Sequence, residues 1–354
     1  MAMPFKPKYT ITDKILNNIS QIMSGREVIE HSMLIPKWEL NLKKEARLHN
    51  AHSSTSIEGN RLTLKQVKAL AENKEVVASA KDKQEVLNYL EALDNIPKYA
   101  AAKSIDVKLF LKLHKTITRA TLKDSKDCGI FRDRQVFVGK RVFDGTQLKE
   151  VIEYMPPDTK DVPYLVEEFL DWLNSEKAKH INPVILSGIA HYEIARIHPF
   201  IDGNGRTARL LATLILYKSG FDHRRFFALD DFYDENRPAY YEALKAVQKD
   251  KGDLTRWLEY FTDGVLYSVN KIKEIVIKIG LMPKPDKTLQ LELTQRQIRI
   301  LERIREKGKV TNKDLQAMFK ISRQAVLKVI SKLIEMELIE LVGKGRGAYY
   351  RIKE

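Results

Sequence analysis

Cysteine occurs once in the 354 residues, at Cys128. A single thiol excludes an intramolecular disulfide and supplies no cysteine cluster for a metal. No neighbour in sequence activates it, so it reads as a packing residue. Long apolar runs are also missing. No stretch approaches the ~20 residues that cross a bilayer, and residues 1–10 carry lysines and prolines where a leader would carry an apolar segment. The expectation is a cytoplasmic protein that does not engage a membrane. Acid is short relative to base: 47 Asp and Glu stand against 61 Lys and Arg, a formal net charge of +14. The surplus is uneven, for residues 291–354 hold fifteen Lys/Arg against eight Asp/Glu, half of the net charge in under a fifth of the chain. Such a local excess implies an acidic partner or a solvated face.

What is present is concentrated between His198 and Arg209, in His-Pro-Phe-Ile-Asp-Gly-Asn-Gly-Arg-Thr-Ala-Arg. Gly203 and Gly205 allow backbone conformations in which successive N–H groups turn toward an anion. The apolar run from Thr207 predicts a helix whose N-terminus faces that anion. Arg206 and Arg209, three apart, share one helical face and can fork onto phosphate oxygens. Asp202 offers a hard oxygen suited to Mg2+, which binds through one or two carboxylates plus substrate phosphates. His198 has the side-chain pKa of a general base at neutral pH.

The whole string resembles the motif of the Fic family, His-Pro-Phe-x-Asp/Glu-Gly-Asn-Gly-Arg-x-x-Arg, with every fixed position filled. The resemblance implies a mainly α enzyme that moves AMP from ATP onto a hydroxyl of a target protein or of itself, with Mg2+ on the phosphates. His198 would take the proton of a Ser, Thr or Tyr hydroxyl and Asp202 would hold the metal. Asn204 and the Gly203 to Gly205 backbone would cradle the phosphates, while Arg206 and Arg209 fix the triphosphate. Such transfer needs mainly alignment and charge neutralisation, which this loop offers.

By itself, Ser53-Ser54-Thr55-Ser56-Ile57-Glu58-Gly59-Asn60 reads as the end of a helix begun near Lys37, with Gly59 or Asn60 as its cap and Thr63 or Asn60 opening the next. Ser54-x-x-x-Glu58-Gly59 also resembles the inhibitory motif of N-terminally inhibited Fic proteins. That likeness implies that Glu58 pairs with Arg209 and takes it from the γ-phosphate.

Helical periodicity follows over 82–94, 106–118, 164–174 and 184–196, with His114, His180 and His191 as structural residues. Residues 135–143 read as a short hairpin with Gly139 at its bend. It resembles the Fic flap, led in by Gly129-Ile130-Phe131-Arg132, which implies that Val138, Gly139, Lys140 and Arg141 touch nucleotide and target. Asn236 to Gln248 resembles the family's later helix, which implies a nucleoside contact for Tyr240; Gln248 stands near where the family carries Asn and departs from its pattern. Prolines at 283 and 285 mark a linker. Beyond it, apolar spacing from Thr294 and a Gly343 to Gly347 tip read as a winged helix-turn-helix, in which Ser322, Arg323, Gln324 and Lys328 would enter a DNA major groove and Lys344 and Arg346 would meet phosphates. The expected organisation is thus an inhibitory helical region over 1–103, a Fic core over 104–280, a linker over 281–290 and the small α+β domain over 291–354. Against the enzyme stands a second reading, a DNA-binding regulator whose core senses nucleotide or modifies itself. A homodimer is left open.

Overall fold

The computed structural model describes every residue except 1–4, 33, 144–147, 282–293, 320, 337, 344 and 354. It describes backbone alone at 140–143, 148–150, 280–281, 295, 305–306 and 346. Contacts divide the chain into two units, Met1–His31 with Lys43–Glu274, and Ser32–Leu42 with Ile275–Glu354. Of the linker expected at 281–290, Leu281 ends a helix and 282–290 lie outside the described residues, as do 144–147.

The first unit begins with α1 (Asp13–Glu30), capped by the Thr12 hydroxyl, and α2 (Pro36–Ile57), whose first residues belong to the second unit. The serine and threonine run does not break α2, because each hydroxyl finds an acceptor or donor. Thr55 Oγ1 donates to the Ala51 carbonyl at 2.8 Å, Ser53 Oγ donates to Asp231, and Ser54 Oγ accepts from Arg209. The helix then stops in a Schellman turn: Gly59 at φ +94°, with N–H bonds from Asn60 to the Thr55 carbonyl and from Gly59 to the Ser56 carbonyl. That turn fixes Glu58 at the helix end. Thr63 and Gln66 form a capping box for α3 (Leu64–Ala71).

There follow α4 (Ala80–Asp94), α5 (Ile96–Ala100) and α6 (Val107–Thr118), the last capped by Asp106. After the hairpin come α7 (Val162–Leu173), α8 (Glu176–Lys179), α9 (Pro183–Ile197), α10 (Asn204–Lys218), α11 (Leu229–Glu235), α12 (Arg237–Lys249) and α13 (Thr255–Leu281), which ends in the second unit. Asn182 caps α9 and Pro183 takes its first position, where a missing N–H costs nothing. Both α9 and α10 are buried nearly all round, and they pack against each other with α5, α6 and α7 about them. Phe110, Leu113, Ile117, Phe169, Ile194, Leu211 and Leu214 form this core.

The hairpin differs from expectation. β1 (Val138–Phe143) pairs antiparallel with β2 (Leu148–Tyr154), so Gly139 lies within the first strand and not at the bend. The register shifts between Val138 and Gly139, and a Cβ at 139 would run into the Val151 carbonyl, so glycine serves a bulge there.

The second unit carries α14 (Gln295–Lys307), α15 (Asn312–Phe319) and α16 (Arg323–Glu335), each opened by a hydroxyl cap: Thr294, Thr311 and Ser322. β3 (Ile339–Val342) and β4 (Tyr349–Ile352) pair antiparallel as the wing, and Val310 bridges to Tyr350. Ile300, Leu301, Ile304, Leu315, Val326, Ile330 and Leu333 are its core. Among the described residues no helix is long and apolar enough to cross a membrane.

Leu211, with no exposed surface at the centre of α10, is the test of this packing. Leu211→Ala is expected to destabilise the first unit by about 2–5 kcal/mol, read from the shift of its urea unfolding midpoint; a loss under about 0.5 kcal/mol would contradict a packed core there.

Candidate active site

The loop between α9 and α10 is bracketed by two left-handed residues. His198 closes α9 at φ +52°, ψ +57°, and Gly203 opens α10 at φ +82°. At 203 a side chain would be strained and would also strike Thr118 and His114. Gly203 gives α10 no side-chain cap, so among the described residues its first-turn N–H groups have no capping side chain and are available to an anion. Gly205 leaves room for Glu58, since a Cβ there would collide with Glu58 Oε1 as it is now placed.

Asn204, expected among the phosphate-binding residues, is the first residue of α10. It is buried, its Oδ1 accepts from the Phe200 N–H and its Nδ2 donates to the Phe200 carbonyl, both at 2.9 Å. Its side chain closes the loop and leaves the cradle to the backbone.

His198 Nδ1 lies 3.3 Å from the Ala195 carbonyl, which can only accept, so Nδ1 carries the proton and Nε2 keeps its lone pair. Burial lowers its pKa from the ordinary value, against the pull of Glu58 and Asp202. His114 is held in the opposite tautomer. Its Nδ1 accepts from the Gly129 N–H at 3.0 Å, so its Nε2–H donates to the Asp202 carbonyl at 2.9 Å. Its ring stacks on Phe200 at 3.6 Å, and burial pushes its pKa down to about 4. Read from sequence as a packed residue, His114 in fact fastens the loop, and no local signal distinguishes the two.

Arg206 and Arg209 are both 2 % exposed. Arg206 Nη2 donates to Asp202 Oδ1 at 3.0 Å, and its Nη1 lies 3.3 Å from Glu85. Arg209 Nε donates to Ser54 Oγ, and its Nη2 donates to the Ser54 carbonyl and to Glu58 Oε1, all at 2.8 Å. Asp230, itself bonded by the Tyr89 hydroxyl, lies 3.9 Å from the same guanidinium. Burial disfavours the charge on Arg209, but Glu58, Tyr240 and Asp230 together hold its pKa above the usual value. Nε and Nη1 of Arg206 and Nη1 of Arg209 make no hydrogen bond among the described residues. Arg206 Nη1 is ion-paired with Glu85, whereas Arg209 Nη1 lies beside Gly205 at the start of α10, where a buried donor without a hydrogen bond suits a phosphate oxygen.

The Asp202 carboxylate is about half exposed, with Oδ1 taken by the Gly203 N–H and Arg206. No cluster of three His, Cys, Asp or Glu side chains occurs among the described residues. One carboxylate fits Mg2+, whose remaining ligands come from phosphate and water.

Around this centre, the Tyr154 hydroxyl at the end of β2 donates to the Arg196 carbonyl at 2.7 Å, two residues before His198. Side chains of Lys140 and Arg141 lie outside the described residues. Tyr240 is buried, its hydroxyl 2.9 Å from His191 Nε2 and its ring against Tyr233. It is the next residue, Tyr241, that is 40 % exposed, with its hydroxyl 3.4 Å from the Ile57 carbonyl beside Glu58. Gln248 is exposed seven residues on, two turns along the same face. In the second unit Arg323, Gln324 and Lys328 are exposed at the start of α16. Lys344 and the Arg346 side chain lie outside the described residues.

Residues 104–216 match the Fic/DOC family. Over these residues the chain is similar to Fic domains. Residues 293–341 match the MarR family, in keeping with the winged helix. Protein adenylyltransferase Fic of Drosophila willistoni is 33% identical over 224 residues, covering 62% of this chain and 40% of that protein. The Drosophila grimshawi protein of the same name is also 33% identical, over 62% of this chain and 42% of its own length. The chain therefore spans about two fifths of the curated relatives it matches. A crystal structure of a Fic family protein from Desulfovibrio desulfuricans G20 is 26% identical, with a TM-score of 0.63 over 98% of each chain. Fic-1 (residues 134–508) from C. elegans is 26% identical with a TM-score of 0.60, over 75% of this chain and 74% of that one.

Within this Fic-like region the buried histidines carry a pH signature. A folded pKa below the unfolded one means that the unfolded chain binds more protons between the two values, so stability falls as pH drops below 6.5. Imidazole NMR should show His198 titrating below 6.5 and His114 near 4; either ring protonating at or above 6.5 would contradict the buried neutral state.

Proposed function

We propose that the chain is an autoinhibited protein AMP-transferase, in which Glu58 competes with the γ-phosphate of ATP for Arg209. The observation that carries this reading is the pairing of Glu58 Oε1 with Arg209 Nη2 at 2.8 Å inside a complete phosphate loop. The curated relatives named protein adenylyltransferase Fic support AMP transfer as the chemistry.

In the transfer step the target hydroxyl gives its proton to His198 Nε2, its oxygen bonds to the α-phosphorus, and the bond from that phosphorus to the β-phosphate bridging oxygen breaks, releasing pyrophosphate. The N-terminal amides of α10 and the two arginines orient the chain of phosphates along the line of attack. Asp202 would hold Mg2+, which would neutralise charge on the phosphates. The backbone of Val138 to Arg141 presents the target strand by edge pairing. Tyr241, on the rim, is the tyrosine that a nucleoside at this end of the site would meet. While Glu58 occupies Arg209, ATP binds with its phosphates out of line. A displacement on the order of 1 Å costs roughly 10²-fold in rate.

A second reading, a DNA-binding regulator, is favoured by the MarR match and by the exposed Arg323, Gln324 and Lys328 on α16. In that reading the core senses nucleotide or modifies the chain itself.

Label transfer from α-labelled ATP with Mg2+, to the chain and to lysate proteins, tests the enzyme. Glu58→Gly should raise incorporation by roughly 10²-fold, and adding His198→Ala should abolish it. Glu58→Gly at the wild-type level would sink the inhibitory role. For the second unit, duplex DNA binding should weaken as salt rises, and Arg323→Ala should weaken it further; binding that is absent at low salt, or indifferent to Arg323, excludes the groove assignment.

A further inference from the structure

Arg132 is 3 % exposed and belongs to neither the phosphate loop nor the flap, yet it touches both. Its Nε donates to the His198 carbonyl at 2.9 Å, and its backbone N–H donates to the Pro199 carbonyl at 2.9 Å. Its Nη1 donates to Thr159 Oγ1 at 2.7 Å and to Gln135 Oε1 at 3.2 Å, and its Nη2 donates to the Pro157 carbonyl. Gln135 lies just before β1, and Pro157 and Thr159 lie just after β2. One guanidinium therefore joins the catalytic histidine to both ends of the flap.

Among the described residues no carboxylate forms an ion pair with Arg132, whose pKa burial lowers. A buried cation satisfied by carbonyls, a hydroxyl and an amide is a costly joint. It is also a geometrically strict one, because the planar fork sets three directions at once, which a lysine point charge cannot do. The pinned carbonyl belongs to a non-glycine residue in the left-handed region, a conformation that persists only where surroundings enforce it.

We infer that Arg132 is a positioning residue: by setting the flap at a fixed distance from His198, it directs the AMP to a hydroxyl held on the flap in preference to water. The inference rests on the AMP-transfer reading. The structural half of it, that Arg132 clamps the flap to the loop, can be read without activity.

The test uses the full chain carrying Glu58→Gly, with Arg132→Met and Arg132→Lys added singly. From α-labelled ATP, the ratio of AMP on protein to free AMP should fall at least tenfold in Arg132→Met, and in Arg132→Lys to between that value and the parent's, with the KM for ATP changed by less than threefold. Hydrogen exchange should quicken in 138–143 and 148–154 while α10 stays protected. A ratio unchanged, or both products lost in parallel with α10 protected, overturns the positioning role, and so does flap exchange equal to the parent. If Arg132→Met exposes α10, Arg132→Lys decides by the same measures. If Glu58→Gly itself transfers no AMP, the proposed function fails, and flap exchange alone decides the clamp.

Discussion

A guanidinium buried to 2 % of its surface must be surrounded by groups that repay its lost hydration, and Arg209 sets that demand at the heart of the molecule. Ser54, Glu58 and Asp230 converge on it from α2 and α11. The same convergence determines how α2 is held. Asn50 donates to the Phe227 carbonyl, Ser53 to Asp231, and Arg237 to Ser56, so the last two turns of α2 are fastened by polar contacts of which the Arg209 pairing is the innermost. Removing Glu58 leaves Arg209 bonded to Ser54 and near Asp230, so its position does not depend on the inhibitory carboxylate.

The loop above it is rigid for a different reason. α9 and α10 are apolar on almost every side, so neither helix can rotate without exposing core. The two left-handed residues at 198 and 203, the Asn204 bonds to Phe200, and the His114 bridge then leave little freedom between them. Preorganised donors need such a mount, because each ångström of slack is taken from alignment at the phosphorus.

The helices and the glycine-rich loop were legible because their signals are local: apolar spacing, side-chain oxygen caps at Thr63, Asp106 and Ser322, and a motif contained in twelve residues. What failed to be legible depended on a partner distant in sequence. The second flap strand, Leu-Lys-Glu-Val-Ile-Glu-Tyr, mixes charge and apolar residues without clean alternation, so the sequence puts the bend one strand too early, and only the close approach of the Val151 carbonyl explains Gly139. Tyr240 and Tyr241 differ by one step, about 100° around a helix; which of them is buried depends on where α9 and α13 lie, and sequence carries no such information. His114 and Arg132 are equally silent, since a packed histidine and a packed arginine become anchors only through the carbonyls of 202 and 198.

The strength of the inhibitory contact can be bounded by its chemistry. A charge-assisted hydrogen bond contributes about 1.5–3 kcal/mol net. Glu58 is 29 % exposed, so its share lies toward the lower end. On that reading it is too little to exclude a triphosphate that would gain the first-turn amides of α10 and the unbonded Arg209 Nη1, but enough to keep one phosphate out of place. On the proposed reading, inhibition would therefore act by misalignment, since binding draws on many contacts while alignment turns on one. The same small energy means that release needs only a coupling of about 1–3 kcal/mol, within reach of a single differential contact anywhere along α2.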